Sequence, residues 1–181
     1  MALAEGLIAE ITREFPAFRL VSKRGNTLSV LIDLALRLLT LGGQREYLTR
    51  YHTVLGYTLY TPFSWDTTED VDRAIVLRHE RVHLRQRRRY GMLLMSFLYL
   101  IPFFPVGLAY GRARLEWEAY RETLRATAEL RGIESVREGR LRQTIVERFT
   151  GGAYGWMWPF PHRIRAWYDA AVRELETEAR A

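Results

Sequence analysis

The sequence predicts an α+β fold: a mainly helical single domain over residues 1–181, with a small sheet or hairpin beside one central helix. Three observations predict it. Apolar residues recur at helical spacing in most of the chain. β-branched and aromatic residues crowd into one stretch, 46–61. Hydrophobic content is 48% and no linker, repeat or low-complexity run divides the 181 residues, so one core of fair size is expected.

The elements follow in order. Residues 3–14 read as an amphipathic helix with Leu3, Leu7, Ile8 and Ile11 on one side, ended by Pro16. Phe18 to Ser22 reads as a short strand, with Lys23-Arg24-Gly25-Asn26 as its turn. Thr27 is expected to cap a strongly apolar helix from Leu28 to Leu41, broken by Asp33 and Arg37 and ended at Gly42-Gly43. Glu46 to Thr61 reads as strand or hairpin, punctuated by Gly56 and stopped by Pro62. A helix over about 68–90 has an acidic, cap-rich start in Asp66, Thr67, Thr68, Glu69 and Asp70, and a stop at Gly91.

Met92 to Ala109 is 18 residues without a charge. That reaches the length of a transmembrane candidate, but Pro102 and Pro105 break a plain span. The run reads as a buried core element in preference to a re-entrant hairpin turning at the prolines. Gly111 to about Leu130 reads as a long helix ended by Arg131-Gly132, and Ser135 to Phe149 as a shorter one. The glycine- and aromatic-rich stretch 150–161 reads as a loop laid over the core. Ile164, Trp167, Tyr168, Ala171 and Leu175 mark a last amphipathic helix.

The chemistry concentrates in His79-Glu80-Arg81-Val82-His83. Residues four apart on a helix differ by about 40° in direction, so His79 and His83 share a face one turn apart. Two imidazoles so placed can bind one metal ion, and Glu80, about 100° round from His79, can serve a reacting water. This is the H-E-x-x-H arrangement of zinc sites, with the glutamate as general base. The chain has no cysteine, so its metal ligands must be His and carboxylate.

A catalytic zinc site takes three protein ligands and leaves one position open. The third is sought in Leu115-Glu116-Trp117-Glu118-Ala119-Tyr120. Glu116 and Glu118 point about 200° apart on a helix, so one alone can face the metal. Glu118 falls with Arg114, Arg121, Glu122 and Arg125, a charged and solvated stripe. Glu116 falls with Ala113, Ala119, Tyr120 and Thr123, a side small enough for another helix to approach. Glu116 is therefore the better ligand, with Glu118 as the alternative.

H-E-x-x-H followed on a later helix by Glu116-Trp117-Glu118-Ala119 resembles the gluzincin metallopeptidases. In size and layout the chain is similar to the small single-domain minigluzincins. The stress-protease and prenyl-protein-protease group carries its glutamate ligand in E-x-x-A-D; here Tyr120 stands at the aspartate place. That departure leaves open which group buttresses the histidines. The resemblance covers about residues 46–125. It implies His79, His83 and Glu116 as zinc ligands, with Glu80 as general base and then proton donor to the leaving amine. Tyr120, Tyr154, His162 and His52 are candidates for stabilising the oxyanion. A strand just before the zinc helix would, by analogy, rim the cleft and pair with a substrate backbone.

Two function classes follow. The first is a zinc-dependent peptidase acting on a peptide or protein laid along 46–61. The second is a non-catalytic, metal-containing protein associated with a membrane or a partner. The uncharged run, the cluster Arg85-Gln86-Arg87-Arg88-Arg89 and the pair Trp156/Trp158 favour the second. Glu80 favours the first, because a structural site needs no general base. Net charge is +6, nearly all of the cations being arginine. It allows peripheral membrane contact through 85–109, but a cluster this short predicts no nucleic-acid binding. The acid-bearing start, Met1 to Glu10, does not read as a secretory signal, so a cytoplasmic location is expected.

Overall fold

The structure is a computed structural model and describes residues 2–39, 46–100, 109–151 and 157–180. It is mainly helical with a three-stranded sheet, the α+β class read from the sequence. The chain forms two compact units, Met1–Glu80 and Arg81–Ala181. The boundary falls inside a helix, where no linker composition marks it.

In the first unit, α1 (Leu3–Glu14) buries Ala4 and Ile11, and Phe15 just beyond its end, while Leu3 is exposed. The Asp70 carboxylate accepts hydrogen bonds from the backbone N–H of Leu3 (2.6 Å) and Ala4 (3.3 Å). Two of the N–H groups that a helix start leaves without partners are thus served from 66 or 67 residues away. Next come β1 (Arg19–Ser22), α2 (Thr27–Leu39), β2 (Thr53–Leu55) and β3 (Thr58–Thr61). The α2 cap is Asn26, not Thr27: the Asn26 Oδ1 accepts from the N–H of Ser29 at 2.9 Å and from its hydroxyl at 3.0 Å. Gly42-Gly43, read as the end of this helix, lies outside the described residues.

The strand order is β1-β3-β2. β2 and β3 form the expected hairpin, with Leu55 opposite Thr58 and a two-residue turn beginning at Gly56. Gly56 has φ of 66°, which glycine adopts at no steric cost. β1 joins β3 in parallel, which a tight turn cannot do; the chain between them supplies the crossover and includes α2. β3 is therefore paired on both sides. The strand immediately before the motif helix cannot add a substrate strand, which corrects the expectation of a β3 rim. Of 46–61, β2 has an edge that pairs with no strand among the described residues.

Lys23 follows β1 and is fully buried. Its ammonium donates to the carbonyls of Tyr47 (2.9 Å) and Tyr51 (2.7 Å) and to the Thr53 hydroxyl (3.0 Å). It also lies 3.5 Å from the centroid of the Tyr47 ring. All three ammonium protons are thereby placed, and the segment 47–53 is tied to the end of β1. Burial pulls the Lys23 pKa down from 10.5 to about 8, against the opposing pull of the Asp33 and Glu80 carboxylates.

A 3-10 turn (Trp65–Thr67) precedes α3 (Asp70–Leu100), whose helical run is interrupted at Gly91, φ 75° and ψ 165°. The stop read at Gly91 is thus a break between two arms. Met92, Leu93 and Leu94, which open the second arm, are exposed, Leu93 at 86%. The reading of 92–109 as buried core fails at its start, because these side chains are exposed. Residues 101–108, with both prolines of the supposed turn, lie outside the described residues. No described helix is long and apolar enough to cross a membrane.

The second unit is built on α4 (Tyr110–Arg131), with α5 (Glu134–Arg137), α6 (Gly139–Thr150) and α7 (Pro161–Glu178). The single helix expected over 135–149 is split at Glu138, whose ψ of 130° is extended. The core is a cluster of Trp117, Tyr120, Leu124, Val136, Ile145, Phe149, Met157, Ile164 and Tyr168, among others. Its aromatic centre sets Trp117 5.3 Å from Trp167 and Tyr120 5.5 Å from Phe149. The one buried hydroxyl on α7 is matched: Tyr168 donates to the Val136 carbonyl at 2.6 Å.

Candidate metal centre

The first arm of α3 places His79 and His83 one turn apart, as their spacing requires. α4 brings Glu116 to them. One ligand atom from each of His79, His83 and Glu116 lies within 4.8 Å of the other two. The glutamate in this group is Glu116; Glu118 is not part of it. On α4, Ala113 and Ala119 are fully buried, Ala113 in the second-unit core cluster.

His83 is buried and held by Gln86. The Gln86 amide nitrogen donates to the Leu115 carbonyl and to Glu118 Oε2, both at 2.9 Å. Those two acceptors fix the amide orientation, because only the NH2 end can donate to them. The Gln86 Oε1 must then face His83 Nδ1, 2.9 Å away, and Nδ1 must carry the proton. Nε2, the other ring nitrogen, faces Glu116 Oε2 at 3.8 Å. That distance is too long for a hydrogen bond. Two ligand atoms on a tetrahedral zinc, with bonds of ~2.0–2.1 Å, sit roughly 3.4 Å apart. The pair is therefore spaced a few tenths of an ångström wider than a bound ion would draw it.

The donor set also fits in kind. Two imidazoles and a carboxylate make a three-ligand zinc set, and a ligating histidine ordinarily gives its other N–H to an oxygen acceptor. Gln86 supplies that acceptor. The Tyr120 ring is packed into the second-unit core. Glu118, read as part of a solvated stripe, instead holds the far end of Gln86. The relay Glu118–Gln86–His83 was missed in the sequence. Its one local signal is an amide three residues after the second histidine, on the same helix face.

Glu80 follows His79 on α3 and is half-buried, in the field of the Lys23 ammonium. The oxyanion candidates are scattered. His52 packs edge-on against Trp65 at 5.4 Å. His162 is exposed at the start of α7, 6.1 Å from Phe160. Tyr154 lies outside the described residues. Neither His52 nor His162 joins the grouped ligands. Compared with family models, curated proteins and solved structures, the chain shows no match.

Proposed function

We propose that the protein is a zinc-dependent peptidase, with His79, His83 and Glu116 as metal ligands and Glu80 as general base. The observation that carries this reading is the convergence of the three ligand atoms, with His83 held through Nδ1 by Gln86. A zinc ion held there would supply Lewis acidity, activating water near neutral pH and polarising a carbonyl. Glu80 accepts the proton of the attacking water and returns it to the departing amine. His83 cannot swing away, because Gln86 fixes its ring. The substrate is a peptide whose backbone pairs with the open edge of β2.

The test uses the full chain loaded with zinc and a mixed peptide library. The expected stoichiometry is about one zinc per chain. Glu80→Gln should keep the zinc, since Glu80 is not a ligand, and lose hydrolysis by at least ~10²-fold. Cleavage that survives unchanged in Glu80→Gln would refute this mechanism. Zinc binding with no cleavage of any peptide would turn the reading to a structural metal.

A further inference from the structure

We infer that the protein docks on the surface of an anionic phospholipid bilayer through the outward face of α2. This rests on no metal chemistry. α2 is inverted relative to a water-facing helix. Among its described side chains the two buried ones are polar, Ser29 and Asp33. Its large apolar side chains Leu28, Val30, Leu31, Leu34 and Leu38 face outward, at exposures from 46% to 70%. At 100° per residue they fill an arc of about 160°, along a helix roughly 20 Å long.

The buried polar side chains are served from within the helix. Asp33 Oδ2 pairs with Arg37 Nε at 2.7 Å, and Ser29 is bound to the Asn26 cap. Turning α2 to hide the leucines would bring Asp33 and Ser29 to the surface. An exposed apolar face along a whole helix marks an interaction surface.

Charge selects the occupant. Arg37, paired with Asp33, stands at the edge of the arc, and exposed Arg24 comes just before the helix, its guanidinium 5.6 Å from the centroid of the Phe63 ring. The second unit independently repeats the pattern: exposed Met92, Leu93 and Leu94 directly follow Arg85, Arg87, Arg88 and Arg89. A groove in one protein partner would not need the same pairing twice. Apolar side chains bordered by arginine suit the boundary between acyl chains and anionic headgroups. The net charge of +6 adds attraction over a longer range.

The test exploits the absence of cysteine. Leu31→Cys and, as a control on α7, Thr177→Cys would each carry a polarity-sensitive fluorophore. Vesicles of phosphatidylcholine alone and with phosphatidylglycerol would be added to the full chain. Leu31→Cys should report an apolar environment with the anionic vesicles, weakly with the neutral ones and less at high salt. Thr177→Cys should report none. In co-sedimentation, Leu31→Glu/Leu34→Glu should lower vesicle partitioning by at least ~10-fold. Its melting curve should stay that of wild type, because both side chains are exposed. Equal signals from the two labelled positions would overturn the proposal. So would partitioning that survives the double substitution, or wild-type protein that stays with the supernatant. A concentration-dependent dimer abolished by Leu31→Glu/Leu34→Glu, without vesicle binding, would assign the face to a second copy instead.

Discussion

Replacing Gln86 should separate what orients His83 from what merely packs beside it. Gln86→Met keeps length and volume but removes three hydrogen bonds, to His83 Nδ1, the Leu115 carbonyl and Glu118, each 2.9 Å. At about 1 kcal/mol net per bond, the metal-free protein should lose roughly 3 kcal/mol. For a chain of this size that is a fall in Tm of roughly 6–12 °C. With no acceptor on Nδ1, the ring can rotate or shift its proton to Nε2, which removes the lone pair facing Glu116. Loss of such a supporting bond typically weakens metal binding 10–100-fold.

Gln86→Glu supplies the contrast. It retains an oxygen for the His83 Nδ1–H but loses both donated bonds and sets a carboxylate against Glu118. It should lower the Tm of the metal-free protein as much as Gln86→Met does, yet hold zinc within a few-fold of wild type. Zinc affinity would be measured by competition with a chromophoric chelator, well below the melting range. If Gln86→Met binds zinc as tightly as wild type, Gln86 does not orient the ligand and the tautomer argument is wrong. If both variants lose affinity equally, the effect is packing.

Other outcomes follow from the same geometry. His79→Ala and His83→Ala should each abolish stoichiometric zinc on metal analysis, because two remaining ligands hold zinc poorly. Glu116→Gln should cost far more affinity than Glu118→Gln, whose effect passes through Gln86 and should stay near tenfold or below; the reverse order in a chelator titration would mean α4 is rotated. Lys23 makes a signed pH prediction. Its folded pKa of about 8 lies below the ordinary 10.5, so from about pH 8 upward the unfolded chain binds more protons. Stability should therefore rise with pH across this window, level off at lower pH, and do so by this route only in chains that keep Lys23. Tyr168, pushed up to about 12 by burial, acts with the opposite sign above pH 10, so the comparison belongs at pH 7.5–9.5. Urea midpoints of wild type and Lys23→Met over that range should diverge; parallel curves would count against the lowered pKa.

What the sequence by itself determined is what short-range geometry controls. The i, i+4 spacing alone puts His79 and His83 on one face of α3. Pro16, Gly25, Gly56, Gly91 and Gly132 mark ends and turns because their backbone limits or freedoms are local; the glycines among them all have positive φ. The β-branched and aromatic crowding in 46–61 predicts strand or hairpin for the same reason. That Glu116 and Glu118 could not both face one partner was legible too, since two residues on one helix cannot point the same way at a spacing of two.

Tertiary structure decided the rest, because it turns on which segments meet. The sequence gives no means of seeing that Asp70 caps α1 rather than α3 alone, or that β1 inserts next to β3 and closes its free side. Gln86 becomes the support of His83 only when α4 supplies Leu115 and Glu118 to orient its amide. The apolar periodicity of α2 reads the same whether its leucines face a core or the outside. Only the placement of Ser29 and Asp33 inside the first unit shows which, because burial is a property of what surrounds a helix and not of its period.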